Sequence, residues 1–264
     1  MYAYRTIAFF TLLIFIFLCI GFLFSVNIIL AFVLSLIISG LIHKFSGNVM
    51  LKILDAEPLD DKKIENIVDK LSKEAKIRRP KIYITDFDIP NALSLRGLDN
   101  YVVITQGIKM MGKDEIKAII SHEIAHIKFN DTSLLTAVAF TSLISFPVQY
   151  AYSTERKYIF WPVFILFLPL VLISSFLIKI SVSSFMNYRA DYTGSLITKN
   201  PKELASALKK INEVVEHNPM NWSFISTSML WTLNPFKKDW FVKMLSSDPP
   251  IERRIERLEE MSGL

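Results

Sequence analysis

The chain contains 264 residues, of which 52% are hydrophobic and 21% are charged. Soluble domains usually carry fewer apolar and more charged residues, so this composition favours membrane segments and excludes a disordered chain. A single cysteine excludes a framework of disulfide bonds. The formal net charge of +5 does not indicate nucleic-acid binding, because most of the excess basic residues flank apolar runs, as they do in membrane anchors.

Two long apolar runs open the chain. Residues 6–26 and residues 28–42 contain no charged side chain, and a membrane-spanning helix needs about 20 apolar residues. Residues 1–50 are therefore predicted to form a helical hairpin that crosses a bilayer. The alternative is a cleaved signal peptide followed by one anchor. The first run is longer than a signal-peptide core and is not followed by a small-residue cleavage site, which argues against that alternative.

The composition changes to a mixture of polar and apolar residues over residues 51–131. Apolar residues recur at helical spacing between Asp60 and Lys76, which predicts an amphipathic helix that begins at Asp60 or Asp61. Short alternating or β-branched runs then predict a small antiparallel β-sheet. The predicted strands lie at residues 81–85, 91–96 and 101–105, and a second helix is expected from Asp114 to Phe129.

A second pair of apolar runs lies within residues 132–180 and predicts a second membrane hairpin, which gives four spans in all. The first of these two runs, residues 132–150, is the weaker, and its alternative is a buried core helix. Residues 181–264 are expected to be soluble. They are expected to contain helices at residues 201–215 and 251–260, which begin after Asn200 and after a pair of prolines.

The basic residues next to the apolar runs predict an orientation in the membrane. Arg5, Lys44 and Lys179 would lie on one side together with both soluble segments. Lysine and arginine accumulate in cytoplasmic loops, so the soluble segments are expected in the cytosol. Arg156 and Lys157 fall on the other side and weaken this prediction.

Residues 122–126 read His-Glu-Ile-Ala-His. Two histidines four positions apart lie on one face of a helix, so both imidazoles can bind one zinc ion. Glu123 projects beside them, where it can take a proton from the attacking water. The whole chain has four histidines, so this spacing seldom arises by chance. The alternative is a helix surface with two exposed histidines.

Several further motifs resemble those of the HtpX-like membrane zinc metalloproteases, which are relatives of the CaaX prenyl proteases. Pro90-Asn91-Ala92 with Gly97 resembles the family's strand beside the active site, and residues 103–107 resemble its VxxTxG stretch. Residues 248–254 resemble its HPPxxxR stretch. The resemblance covers nearly the whole chain, from the two leading spans to the C-terminal segment.

The resemblance implies a fold class, a cofactor and partners. The expected fold is mainly α with a small antiparallel β-sheet, in which four transmembrane helices carry a zincin-like cytosolic catalytic domain. Its segments are residues 1–50, 51–131, 132–180 and 181–264, with catalytic residues in the second and the fourth. The cofactor is Zn²⁺, the substrates are membrane proteins or unfolded polypeptides, and the protein crosses the cell membrane several times.

The sequence departs from the family at the third zinc ligand. The family supplies a glutamate from an E-Y-x-A-D motif, whereas this chain reads Asn187-Tyr-Arg-Ala-Asp191. His122, His126 and Asn187 are therefore the implied metal ligands. An amide oxygen is neutral and binds zinc less well than a carboxylate does. The family's equivalent of Asp191 orients a ligand histidine from behind.

A second departure is Asp248, which stands where the family has a histidine that stabilises the developing oxyanion. A carboxylate there would repel an oxyanion unless it were protonated. Arg254 occupies the family's arginine position and remains a possible electrophile. Tyr188 is another candidate, with packing as its alternative role. Asn91, Ala92 and Ser94 are candidate substrate-binding residues, because their predicted strand can pair with an extended peptide.

Three functional hypotheses follow from these residues. In the first, the chain is a membrane-embedded zinc endopeptidase in which Glu123 is the general base and then protonates the leaving amine. In the second, the substitutions at Asn187 and Asp248 leave a catalytically impaired homologue that binds peptide or metal without turnover. In the third, the chain is a structural membrane protein with a fortuitous HExxH motif.

Overall fold

A computed structural model describes residues 3–153, 157–221, 224–236 and 239–263. These residues form a mainly helical fold with a small four-stranded sheet. The helices are α1 (Ala3–Leu23), α2 (Ile28–Ile53), α3 (Lys62–Ala75), α4 (Lys113–Lys128), α5 (Asp131–Ser142), α6 (Phe146–Ser153), α7 (Lys157–Ser181), α8 (Ser184–Thr198), α9 (Pro201–His217), α10 (Trp240–Met244) and α11 (Ile251–Ser262). The strands are β1 (Glu57–Pro58), β2 (Lys81–Thr85), β3 (Ala92–Arg96) and β4 (Asn100–Thr105).

Within the described ranges, four helical segments are long and apolar enough to cross a membrane, as the sequence predicted. They are Tyr4–Leu23, Ile28–Ile53, Asp131–Ser153 and Ile159–Ser181. The polar link between the last two, predicted at residues 151–158, includes Arg156 and lies partly outside the described residues.

The third span differs from the other three. A 3₁₀ turn at Leu143–Ser145 interrupts it between α5 and α6, and most of its length is buried. The other three spans leave most of their surface exposed, which suits lipid contact. This segment therefore combines the length of a span with the burial that the alternative of a core helix predicted.

The sheet is mixed, so the prediction of an antiparallel sheet was wrong. The strand order is β1-β2-β4-β3, with β2 and β4 parallel and the other pairs antiparallel. The chain leaves β2 and skips the neighbouring place in the sheet, so β3 lies two strands away from β2. The short turn after β3 then returns β4 into the gap, where it runs parallel to β2.

The sheet lies between the membrane helices and the soluble helices, and both its faces are buried. Leu93 and Leu95 of β3 pack into a core shared with the membrane helices. Ala92 and residues of β4 such as Ile104 pack on the opposite side against α4, α9 and α11. Gly47 of α2 lies so close to the end of β3 that a side chain there would collide with the Arg96 backbone.

The predicted soluble helices are confirmed, with boundaries set by identifiable caps. The side chain of Asp61 accepts hydrogen bonds from the backbone at the start of α3, as expected of an N-cap aspartate. Helix α9 has Asn200 at its N-cap and a proline in its first turn. Helix α8 packs closely on α4, because a Cβ atom at Gly194 would lie only 3.0 Å from the backbone nitrogen of His122. This contact brings α8 against the HExxH motif.

Candidate active site

Helix α4 presents the HExxH residues to the protein interior. Most of its apolar face is buried, and His122, Glu123 and His126 are buried as well. Its first turn is fixed by Glu115, which accepts hydrogen bonds from the Gly112 backbone, from Ser206 and from Lys210. Burial opposes ionisation of Glu115, but its partners outweigh that effect and lower its pKa. The helix that carries the motif is therefore anchored to α9.

The two histidine rings meet edge to face, with 3.2 Å between their Nε2 atoms. Two nitrogens bound to one tetrahedral zinc ion at about 2.0–2.1 Å lie about 3.3 Å apart. Each Nδ1 atom faces an aspartate, and a neutral ring that carries its proton on Nδ1 has a lone pair on Nε2 for a metal ion. Two Nε2 lone pairs at this distance repel each other unless a proton or a metal ion lies between them. The pair therefore fits a zinc ion.

His122 is supported from behind by Asp191 of α8. The His122 Nδ1 atom lies 2.8 Å from Asp191 Oδ1, in a contact that is close but off the ideal hydrogen-bond direction. Arg254 donates to both Asp191 oxygens, at 2.7 and 2.8 Å. Burial alone would raise the pKa of Asp191, but the Arg254 guanidinium holds it well below its usual range. Burial lowers the pKa of His122 despite the neighbouring carboxylate.

His126 is supported by Asp131, the first residue of α5. The distance from His126 Nδ1 to Asp131 Oδ2 is 3.4 Å. Arg189 Nη2 donates to both Asp131 oxygens at 2.6 Å, and its guanidinium lies 4.0 Å from the centre of the Phe129 ring. Burial opposes protonation of His126, but Asp131 and the charge of Glu123 raise its pKa.

The carboxylate of Glu123 is held on one oxygen. Its Oε1 atom accepts a hydrogen bond of 2.6 Å from the Thr232 hydroxyl. Its Oε2 atom is buried and has no hydrogen-bond partner among the described residues. A buried carboxylate oxygen without a partner is costly unless a water or a ligand completes it. This atom is therefore available to accept a hydrogen bond from a water molecule.

Comparison with known proteins decides the family. The sequence profile of peptidase family M48 matches residues 58–262. The chain belongs to peptidase family M48. It is 33% identical over 251 residues to the Protease HtpX homolog of Pyrococcus abyssi, with 89% of this chain and 87% of that protein covered. It is 34% identical over 250 residues to the Protease HtpX homolog of Salinibacter ruber, with 90% and 89% covered.

The fold is similar to the crystal structure of Ste24p from S. mikatae. The TM-score is 0.52 at 19% sequence identity, over 94% of this chain. This chain spans 62% of the length of that protein. Membership of family M48, together with four helices of membrane-spanning length, makes this chain a membrane protein of a metalloprotease family. The resemblance inferred from its motifs is thus confirmed.

Asn187, the implied third ligand, lies on α8 one turn before Asp191. Residues four apart share a helix face, so Asn187 projects from the same face as the aspartate that contacts His122. It is partly buried. The described parts of the chain contain no cluster of three His, Cys, Asp or Glu side chains that could hold a metal. Within this M48 chain, the assignment of Asn187 as a ligand stays a prediction.

The predicted substrate-binding residues are all buried, and other parts of the chain occupy their polar groups. Asn91 donates to the Leu233 carbonyl at 2.7 Å, and the Ala92 carbonyl accepts from the Thr232 backbone at 2.8 Å. The Ser94 hydroxyl lies 3.4 Å from that of Thr132. Their role in substrate binding stays a prediction, and the segment around Thr232 already contacts this edge of β3.

Arg254 and Asp248 lie near each other in the C-terminal segment. Arg254 is fully buried, and its nitrogens are engaged by Asp191 and by the Thr232 carbonyl, which accepts at 2.7 Å. Asp248 accepts a hydrogen bond of 2.9 Å from Asn234, and burial raises the pKa of Asp248. The geometry of Arg254 is that of a support behind the site rather than of a free electrophile.

Sequence reasoning did not assign roles to Asp131, Arg189 and Thr232. Asp131 had a usable signal, because it follows His126 by five residues just past the end of α4. Arg189 lies inside the segment from Asn187 to Asp191, but the family resemblance implies no role for it. Thr232 lies 109 residues from Glu123, and no local pattern marks it.

Proposed function

We propose that this chain is a zinc-dependent endopeptidase with a zincin-like catalytic domain. One observation carries the proposal. The Nε2 atoms of His122 and His126 lie 3.2 Å apart, and the Oε2 atom of Glu123 on the same helix is buried and lacks a partner among the described residues. This set of donors matches a catalytic zinc site that keeps a position open for water.

The residues of the site have distinct roles in this proposal. His122 and His126 would hold Zn²⁺ together with Asn187, and the ion would polarise the scissile carbonyl and make its water more acidic. Glu123 accepts the proton of the attacking water and then delivers it to the leaving amine. Asp191 keeps the His122 ring in the orientation that directs its Nε2 atom into the site.

Arg254 acts in this proposal through Asp191 and not on the substrate directly. Its Nε and Nη2 atoms pair with the carboxylate, and its Nη1 atom holds the Thr232 carbonyl. This engagement supports a positioning role over the electrophilic role that the motif suggested. A carboxylate held by a bidentate guanidinium is a rigid partner for a ligand histidine.

Membrane or unfolded polypeptides are the proposed substrates, and an extended peptide would pair with β3 near Asn91, Ala92 and Ser94. The proposal is supported by the position of β3, which is the edge strand beside α4. Because the segment at Trp231 bridges to Leu93, the peptide would pair with this edge beyond that bridge, on the side of Ser94. The bilayer supplies the second partner, through the four apolar helices.

We propose that the protein lies in the cell membrane with the catalytic face in the cytosol. A test uses single cysteines in a Cys19→Ser background, at the exposed Met110 of the soluble part and at Ser153 at the end of the third span. An impermeant maleimide should label Ser153→Cys in intact cells and Met110→Cys only after lysis. Labelling of Met110→Cys in intact cells would show that the soluble part faces the outside and would contradict the proposed orientation.

The activity is tested with Glu123→Gln. The variant should retain zinc and lose hydrolysis of casein or of an unfolded membrane protein by about 10²–10⁴-fold, because a general base contributes that much. Glu74→Gln, which changes an exposed carboxylate on α3, is the matched control and should keep full activity. Equal activity of Glu123→Gln and wild type would refute the mechanism.

The second candidate function is a homologue that binds metal or peptide without turnover. It is favoured by the neutral Asn187 at the ligand position and by Asp248 in place of histidine. Zinc stoichiometry measured on the same sample as peptide cleavage separates the two functions. Stoichiometric zinc without cleavage would favour the impaired homologue, whereas zinc with cleavage that depends on Glu123 would favour the endopeptidase.

A further inference from the structure

We propose that Thr232 is a positioning residue, whose hydroxyl fixes the Glu123 carboxylate so that its Oε2 atom faces the reacting water. The proposal rests on the proposed function, since it takes Glu123 to be the general base. Thr232 lies outside the HExxH motif and outside the helix that carries Asp191. It comes from the segment between α9 and α10, which joins the site only through tertiary contacts.

The first step is the hydrogen bond itself. Thr232 is fully buried, and its hydroxyl lies 2.6 Å from Glu123 Oε1 and 3.1 Å from the Ala92 carbonyl. A hydroxyl has one hydrogen, so it can donate to one of these acceptors at a time. The charged carboxylate is nearer and is the stronger acceptor. The hydrogen therefore belongs to Glu123 Oε1.

The second step is the rigidity of the donor. The Thr232 backbone nitrogen donates to the Ala92 carbonyl at 2.8 Å, and Trp231 forms a bridge with Leu93. On the other side, Asn91 donates to the Leu233 carbonyl at 2.7 Å. The peptide groups around the hydroxyl are thus tied to the sheet, so the oxygen that approaches Glu123 is fixed by backbone contacts.

Arg254 connects Thr232 to the residues around the proposed metal ligands. Arg254 donates to the Thr232 carbonyl at 2.7 Å and also pairs with Asp191, which contacts His122. One buried guanidinium therefore joins the support of the base to the support of a histidine. This arrangement fixes Glu123 relative to the metal site through a single continuous set of contacts.

The chemical consequence concerns the two carboxylate oxygens of Glu123. Held at Oε1, the carboxylate can rotate little, and Oε2 remains the only oxygen that is free to accept a proton. Proton transfer in the transition state requires this alignment, and misplacement by about 1 Å can cost about 10²-fold in rate. Loss of the hydroxyl should lower kcat more than it raises KM, because the contact acts on the base and not on substrate binding.

The test compares Thr232→Val with Thr232→Ser on the full-length protein loaded with zinc. Valine has nearly the same shape without the hydroxyl, and kcat should fall about tenfold to a hundredfold with KM within about twofold. Serine keeps the hydroxyl and should restore most of kcat. Thr227→Val is the matched control, because Thr227 is buried in the same segment and its hydroxyl bonds to the Phe224 carbonyl. It should keep wild-type kcat.

A second measurement does not depend on turnover. The infrared difference between zinc-free protein and its Glu123→Gln variant isolates the carboxylate stretching bands of Glu123. Thr232→Val should shift these bands, because one hydrogen bond to the carboxylate is lost, and Thr227→Val should leave them unchanged. If the valine variant fails to fold, Thr232→Ala tests the same hydroxyl with a smaller side chain, and the thermal midpoint reports whether either variant is folded.

Several results would overturn the proposal. One is an unchanged kcat in folded Thr232→Val. A second is an increase in kcat, which would mean that the hydrogen bond from the hydroxyl weakens Glu123 as a base. A third is an equal loss in Thr232→Ser, which would point to packing. Failure of the proposed function appears separately, as full activity of Glu123→Gln, whereas inactive Glu123→Gln with fully active Thr232→Val refutes only the role of Thr232.

Discussion

His122 and His126 each face an aspartate that is paired with an arginine, yet the two supports differ in distance and in origin. On the His122 side, Asp191 lies 2.8 Å from the ring nitrogen. Arg254 binds that aspartate through two nitrogens and reaches it from α11. The whole support therefore comes from the C-terminal part of the chain.

On the His126 side the contact is longer and more local. Asp131 lies 3.4 Å from the ring nitrogen and follows His126 by five residues. Arg189 reaches both oxygens of Asp131 with one nitrogen and packs against the Phe129 ring. Only this arginine comes from a distant element, α8.

The difference shows how the site is assembled. Helix α4 and the start of α5 bring His126 and Asp131 together by chain connectivity alone. His122 acquires its support only when α8 and α11 pack against α4, so its orientation depends on the C-terminal helices. Zinc affinity should consequently be more sensitive to changes on the His122 side.

The largest expected effect comes from the two aspartates. Asp191→Asn should weaken zinc binding by about 100-fold and Asp131→Asn by about tenfold, because partners of metal-bound histidines contribute within that range. Zinc dissociation constants from competition with a chelator measure both effects, with the thermal midpoint as the check on folding. Equal losses in the two variants would remove the distinction between the sides.

The next test concerns the ligand that neither side supplies. Asn187→Glu should tighten zinc binding by at least about tenfold. A carboxylate that binds the metal directly should contribute at least as much affinity as a residue that only contacts a ligand histidine. Asn212→Glu, on a different helix, is the control and should leave the affinity unchanged. An unchanged affinity in Asn187→Glu would place residue 187 away from the metal, and Asp191, Glu213 and Glu216 would be examined next.

A smaller effect is expected from the two arginines. Arg254→Lys replaces a guanidinium with two bonds to one carboxylate by a single ammonium, which cannot reproduce that geometry. Arg189→Lys loses less, because Arg189 uses one nitrogen on Asp131. Zinc affinity should fall severalfold in Arg254→Lys and less in Arg189→Lys. The reverse order would mean that the His126 side is the more rigid of the two.

The smallest expected effect concerns Glu115, which anchors α4 to α9. It tests how much this contact contributes to the stability of the fold. Because the pKa of Glu115 is lower in the folded protein, its ionised form stabilises the fold at neutral pH, and this contribution is lost as the pH falls below about 4. Glu115→Gln should lower the free energy of unfolding by about 1–2 kcal/mol at pH 7. The deficit should shrink near pH 3.

Asp114→Asn is the control for that measurement, because Asp114 is exposed in the same turn of α4. It should change the free energy of unfolding by a few tenths of a kcal/mol, as expected for a charge near a helix N-terminus. A deficit in Glu115→Gln that persists at pH 3 would show that packing, and not the charge of Glu115, provides the stabilisation.

Much of the fold followed from local patterns in the sequence. The four apolar segments, the start of α3 at Asp61 and the helix that carries HExxH depend on periodicity and on end residues, which neighbours in the chain determine. The pairing of β2 with β4 did not follow, because strand order depends on contacts between distant segments. The burial of the third span likewise depends on the elements that surround it.

The same division holds within the site, and its reason is physical. The spacing of His122, Glu123 and His126 along one helix is fixed by helix geometry, so the sequence by itself determined that these three side chains lie close together. What orients those groups comes from across the fold, as the contact between Glu123 and Thr232 illustrates. Such contacts cost chain entropy to form and are made only when distant elements pack together, so only the tertiary structure decided them.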